Sequence, residues 1–276
     1  MPGARAFRST VQSIPNGAWT DLVYSGTRWN DEAMWAAGSP SRLTATAAGL
    51  HIVTASLALA DSGVGARLFR ILSNAARWEA LAGHAPGGSV ETSAGLATLV
   101  NAAIGDYFTA GLYQSSGGAL NTGVAGAPYS AELTLARLAS GVGARRESSV
   151  AQSIPAGVWT TLAYNTTAFA VGMAASGNAL VAPSDGTYAI FAGAYLPAAS
   201  GAVAAQDMAI LIDGGYYGLS GPGTSTTSVA GWSVSTTFLL VAGQSVTAAI
   251  YQATGAARLT DVAFLRPYLA MARIGP

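Results

Sequence analysis

The chain has 276 residues, charged side chains make up 9% of it, and its formal net charge is zero. An average soluble domain is roughly one-quarter charged, so a surface this poor in charge points to area hidden in an assembly. The absence of cysteine excludes disulfides, thiolate metal sites and cysteine nucleophiles, and no basic stripe exists to attract nucleic acid or an anionic membrane.

Met1-Pro-Gly-Ala-Arg5 lacks the apolar stretch of a secretory leader. The uncharged runs 162–184 and 186–206 are broken by Gly, Pro and polar residues, so no membrane insertion is expected. Residues 1–10 carry a short strand, and Ser13-Ile-Pro-Asn-Gly17 reads as a turn: Pro15 presets φ and Gly17 permits a positive φ. The stretch Gln12–Tyr24 recurs at Gln152–Tyr164, with nine of thirteen residues identical at an offset of 140. A repeat of that length implies two domains of one ancestry, 1–139 and 140–276, each large enough to bury its own core.

Glycine, Ser and Thr punctuate short apolar runs throughout, and no helical period lasts beyond about two turns, so the expectation is all-β. The loop Arg28–Trp35 is the most charged and aromatic of the first half, and its counterpart near Phe169–Met173 has lost the charges. Strand alternation in 49–59 places His51, Val53, Ala55, Leu57 and Leu59 on a core face, with Ile52 and Thr54 outward. In the second copy Tyr188, Ile190, Ala192, Ala194 and Leu196 face the core, leaving Phe191 and Tyr195 outward, where they need a neighbouring subunit or domain to cover them. Leu68–Asn74 pairs with Met208–Gly214, Gly105–Gln114 with Gly243–Gln252, and Leu133–Leu138 with Leu269–Ile274 as the closing strand.

Taken in order, QSIPNGAWTDLVY, TRWNDEAM, SPSRLTATAAGLHIV, GDYFTAGLYQSSGGALN and AELTLARL resemble the jelly-roll modules of bacteriophage tail and virion proteins. Those modules are similar to the complement globular head and to tumour necrosis factor. The resemblance covers nearly all of 4–138 and, less faithfully, 144–275, where Gly-Asp has become Gly243-Gln244 and the Arg-Trp-Asn-Asp loop is gone. It implies two tandem antiparallel jelly rolls of about ten strands each. It also implies a homotrimer whose inner sheet, containing the Gly-x-aromatic and closing strands, faces the threefold axis. Ile52, Thr54, Phe191 and Tyr195 are then the candidate subunit contacts.

No catalytic constellation is legible. His51 falls on a core face where the other copy has Tyr188, and His84 lies in a glycine-rich loop whose side chain is expected in solvent. No HExxH, P-loop or nucleophile elbow occurs, and Asp31-Glu32 alone does not make a metal site, so neither cofactor nor metal is expected. Trp29, Trp35, Tyr216 and Tyr217 are candidates for a host-ligand loop, because aromatic rings stack on sugars and anchor interfaces. For Trp29 and Trp232 a core or subunit-contact role is the preferred reading. The function expected is a non-enzymatic, tail-associated virion protein that binds a host-surface glycan or protein and contacts other virion proteins. A head-decoration or connector role is the alternative, and a glycan-degrading enzyme ranks below both.

Overall fold

The computed structural model describes residues 2–60, 62–84, 92–123, 130–197, 205–220 and 230–276. The chain divides into two compact units, Met1–Leu138 and Ala139–Pro276. Every regular element among the described residues is a β-strand.

Unit 1 runs β1 (Gly3–Phe7), β2 (Ser13–Ile14), β3 (Thr20–Asp21), β4 (Gly26–Asn30), β5 (Arg42–Thr44) and β6 (Gly49–Leu59). It continues with β7 (Arg67–Ser73), β8 (Arg77–His84), β9 (Thr92–Ala102), β10 (Tyr107–Gln114), β11 (Leu120–Asn121) and β12 (Glu132–Arg137). The first sheet has the order β4-β1-β12-β6-β9. The second is β3-β10-β7-β8, with β5 pairing β10 beyond the end of β3. The chain passes repeatedly from one sheet to the other, and all the pairings are antiparallel, which is a jelly roll.

Unit 2 repeats the plan with β13 (Gly143–Glu147), β14 (Ser153–Ile154), β15 (Thr160–Thr161), β16 (Thr166–Val171), β17 (Ala174–Ser176), β18 (Ala179–Val181) and β19 (Gly186–Leu196). There follow β20 (Gln206–Ile212), β21 (Gly215–Ser220), β22 (Ala230–Leu240), β23 (Ser245–Gln252), β24 (Arg258–Leu259) and β25 (Tyr268–Gly275). Its sheets are β16-β13-β25-β19-β22 and β17-β18-β23-β20-β21, with β15 on β23. The added strand β17 turns back on β18 and lengthens the second sheet.

Each core lies between its two sheets and is made of the residues that alternation selects. His51, Val53, Ala55, Leu57 and Leu59 are buried on β6; Tyr188, Ile190, Ala192, Ala194 and Leu196 are buried on β19. Phe108, Ala110 and Leu112 answer Val246, Ala248 and Ile250 from the second sheets. Each large apolar side chain so buried contributes about 1.5–3 kcal/mol. Trp232 is buried in the second core, in keeping with a core role.

The repeated Gln-Ser-Ile-Pro stretch is a clamp. Gln12 Nε2 donates to the Asp21 carbonyl (2.9 Å), while its Oε1 accepts from the Val23 N–H (3.0 Å). Gln152 does the same with Thr161 and Ala163, both at 2.8 Å. Gly17 and Gly157 sit at φ 74° and 77° and donate their N–H to the carbonyls of Gln114 and Gln252. A side chain is strained at that φ, which is why glycine holds both positions. The stretch therefore builds the sandwich in both copies.

Candidate functional site

The outward face of the first sheet carries one cross-strand row that differs between the units. In unit 1 the register aligns Gly26, Phe7, Glu132, Ser56 and Gly95. In unit 2 it aligns Thr166, Glu147, Tyr268, Gly193 and Ser233. The ring and the carboxylate have exchanged strands.

Two arginines converge on Glu132. Arg5 Nε donates to Oε2 at 2.7 Å and its Nη2 pairs with the same oxygen; Arg28 Nε donates to Oε1 at 3.1 Å. The Arg28 guanidinium also lies 4.6 Å above the Phe7 ring. The carboxylate is 10% exposed, whereas the arginines are 47% and 51% exposed. Beside them opens a cleft of about 400 Å³ that Ser56, Ser93 and Ser130 also line. On the β6 and β9 side of Glu132 the row carries only Ser56 and Gly95.

Unit 2 fills the corresponding place. The Tyr268 ring lies across Gly193, where a Cβ would stand 2.3 Å from Cε1. Arg145 stacks over that ring at 4.1 Å and pairs with Glu147 at 2.8 Å. Arg145 and Glu147 are 1% and 6% exposed, so this ion pair is buried.

The four candidate subunit contacts sit on the same sheet faces. Ile52 and Thr54 are half-buried, in register with Leu99 and Ala97. Phe191 corrects the expectation from alternation: it is only 4% exposed in the single chain, so it is not a bare outward ring. Tyr195 is half-buried against Phe264, edge-on at 6.4 Å. Burial, and then the nearby Asp261 charge, raise its pKa above the ordinary phenol value, against a lowering by Arg258.

The outward face of the second sheet carries an aromatic cluster in both units. Trp19, Trp78 and Tyr113 meet at 5.1 and 5.7 Å. Trp159, Tyr216 and Tyr251 meet at 5.2 and 5.6 Å in the matching ladder positions. In unit 1 the Arg70 guanidinium lies over both indoles, 4.2 and 4.9 Å from their centres, with Asp21 at 3.5 Å. Gly111 makes the room, since a Cβ there would stand 2.9 Å from Asp21 and 3.1 Å from Arg70 Nε. Unit 2 replaces the three with Ala209, Thr161 and Ala249, and methyl groups occupy the space.

Tyr216 and Tyr217 are each half exposed. Adjacent strand residues point to opposite faces, so Tyr216 rests on Trp159 while Tyr217 rests edge-on against Phe238 at 4.8 Å. The Arg28–Trp35 loop is folded onto its own unit. Trp29 lies over Gly3, Trp35 packs against the first core, and Asn30 clasps Trp35 by donating to its carbonyl and accepting from its N–H. Glu32 accepts from Arg137 at 2.7 Å and from Thr46 at 2.9 Å, so that carboxylate is structural.

His51 is buried, with Nδ1 2.9 Å from the Gly49 carbonyl. Burial is the main cause of its lowered pKa; Arg137 adds to it, while Gly49 and Glu32 act the other way. The His84 side chain lies outside the described residues. Among the described residues no three His, Asp or Glu side chains gather as a metal site.

The Arg5–Glu132 pair is not legible in the sequence, where its members stand 127 residues apart. The signal available was Arg5 itself, on a strand that recurs with Arg145.

No family model and no curated protein matches the sequence. Among solved structures, murine APRIL is similar at TM-score 0.34 and 14% identity, over 48% of this chain and 97% of that one. PNGase F, a glycosylasparaginase from Flavobacterium meningosepticum, is similar at TM-score 0.32 and 8% identity, over 96% of each chain. The CBM22 tandem of Paenibacillus barcinonensis Xyn10C gives TM-score 0.25 and 8% identity, over 93% of this chain and 96% of that one. Likenesses of this size carry no functional weight.

Proposed function

We propose that the chain is a non-enzymatic, tail-associated virion protein of a bacteriophage that assembles as a homotrimer and binds a host surface. The order of repeated segments along the chain supports the virion reading. The observation that supports surface binding most is the hairpin of unit 2. Tyr216 and Tyr217 each stand half exposed with a second ring behind, so that one strand presents an aromatic surface on each of its faces. Rings held this way bind with little loss of side-chain freedom.

The mass of the purified chain by light scattering tests the trimer; a monomer would overturn it. Thr54→Arg should lower that mass, since Thr54 is half-buried on the first-sheet face. Binding to host cells should saturate and weaken at least about tenfold in Tyr216→Ala/Tyr217→Ala, a loss of the size expected for aromatic anchors. Binding to particles alone would replace host recognition with a purely structural role as a decoration or connector protein.

A further inference from the structure

We infer that the cleft beside Glu132 is a binding site for a small sugar acid, a hydroxylated molecule carrying one carboxylate. It stands apart from host recognition by Tyr216 and Tyr217, because the cleft lies on the first-sheet face that also carries Ile52 and Thr54. It is tested on the purified chain with free sugars, so its failure and the failure of that reading are seen separately.

The charge is the first argument. The three titratable lining groups are Arg5, Arg28 and Glu132, two cations around one anion. Glu132 occupies Nε and Nη2 of Arg5 and Nε of Arg28, and Arg28 Nη2 reaches the Ser130 hydroxyl at 3.5 Å. Among the described residues, Nη1 of each arginine donates to no acceptor, and both side chains are about half exposed. The described lining residues therefore carry one net positive charge, on two half-exposed planar guanidinium groups. Arginine forks fit carboxylates closely. A phosphate monoester carries about −1.5 to −2 and would leave charge uncompensated, so the single charge favours a carboxylate.

Size and lining supply the second argument. The volume of about 400 Å³ falls within the roughly 300–1,000 Å³ of small-molecule sites. The hydroxyls of Ser56, Ser93 and Ser130 suit a ligand with hydroxyls of its own. The replacement of this site in unit 2 by the Tyr268 ring assigns the ligand to unit 1 alone.

The experiment is calorimetric titration of the full chain with glucuronate, glucose, acetate and inorganic phosphate. Glucuronate should bind saturably, and the other three at least about tenfold more weakly. Arg28→Gln should lower glucuronate affinity about tenfold, the effect of one charged hydrogen bond. Glu132→Gln should raise it, because both guanidinium groups then turn to the ligand; a merely structural ion pair predicts no such gain. Circular dichroism confirms that each variant is folded. No glucuronate binding at millimolar concentration would overturn the proposal, as would equal affinity in Arg28→Gln. Equal binding of glucose would remove the role of charge, equal binding of acetate the role of the sugar, and tighter phosphate binding the single-charge argument.

Discussion

The first sheets of the two units lay down the same ladder row and fill it in opposite ways. Unit 1 sets Phe7, Glu132 and Ser56 side by side; unit 2 sets Glu147, Tyr268 and Gly193 there. An arginine two residues before the end of the opening strand serves both, Arg5 by pairing with Glu132 and Arg145 by pairing with Glu147 while stacking on Tyr268. What the duplication has kept is an arginine paired with a carboxylate and a guanidinium stacked on an aromatic ring, and not the position of each. Moving the ring to the closing strand fills one row with a phenol; leaving it on the opening strand keeps a cleft.

The comparison can be broken most strongly at the two arginines. Arg145→Ala leaves Glu147 buried beside Tyr268, and removing one partner of a buried pair costs about 3–5 kcal/mol. Arg5→Ala removes a half-exposed partner of Glu132 and should cost about 1 kcal/mol or less. Hydrogen exchange followed by mass spectrometry, read separately for the peptides of each unit, measures both. Equal losses would mean that the two rows are energetically alike.

A second exchange sharpens the comparison. Asp106 Oδ2 accepts from the Ala103 N–H and its Oδ1 from Asn74 Nδ2, while Asn74 Oδ1 accepts from the Tyr107 N–H. In unit 2 the acid stands on the other strand: Asp213 Oδ1 accepts from the Ser245 N–H, and its Oδ2 from Gln244 Nε2. Those bonds hold the Asp213 carboxyl below its usual range. Asn74→Asp puts two carboxylates face to face and should cost about 1 kcal/mol, the value of a lost hydrogen bond. Adding Asp106→Gln rebuilds the pattern of unit 2 and should recover most of the loss in a double-mutant cycle. No recovery would show that the pair does not act as a unit.

The smallest effect concerns pH. His51 holds the core position that Tyr188 holds in unit 2. Its folded pKa lies below the unfolded value of about 6.5. The unfolded chain therefore takes up a proton first as pH falls, and unit 1 loses stability below about pH 6.5. The urea midpoint should fall between about pH 7.5 and about pH 5, by less in His51→Phe. An equal fall in both would remove His51 as the cause.

Much of the sandwich was legible because strand alternation is strictly local. Successive side chains must face opposite sides of a strand, so the core faces of β6 and β19 follow from apolar spacing alone. The strand Thr92–Ala102 was not legible. Ser93, Gly95 and Ala97 give it little strand preference, and it forms because β6 offers it an eleven-residue ladder. Gly243-Gln244 reads as decay of a Gly-Asp motif only until Asp213 is found opposite it. Phe191 shows the limit of alternation, which gives the face a ring points to and says nothing of what lies there.

The sequence by itself determined the duplication, the all-β class, the entry turn and its glycine, and which strand faces are apolar. These follow from identity at a fixed offset, from local φ preferences and from a two-residue period. Only the tertiary structure decided that Arg5 and Arg28 meet Glu132, that a cleft stands beside them, and that Tyr268 fills its counterpart. The arginine contacts join side chains more than 100 residues apart, and cross-strand register, which no local pattern encodes, chooses the partner.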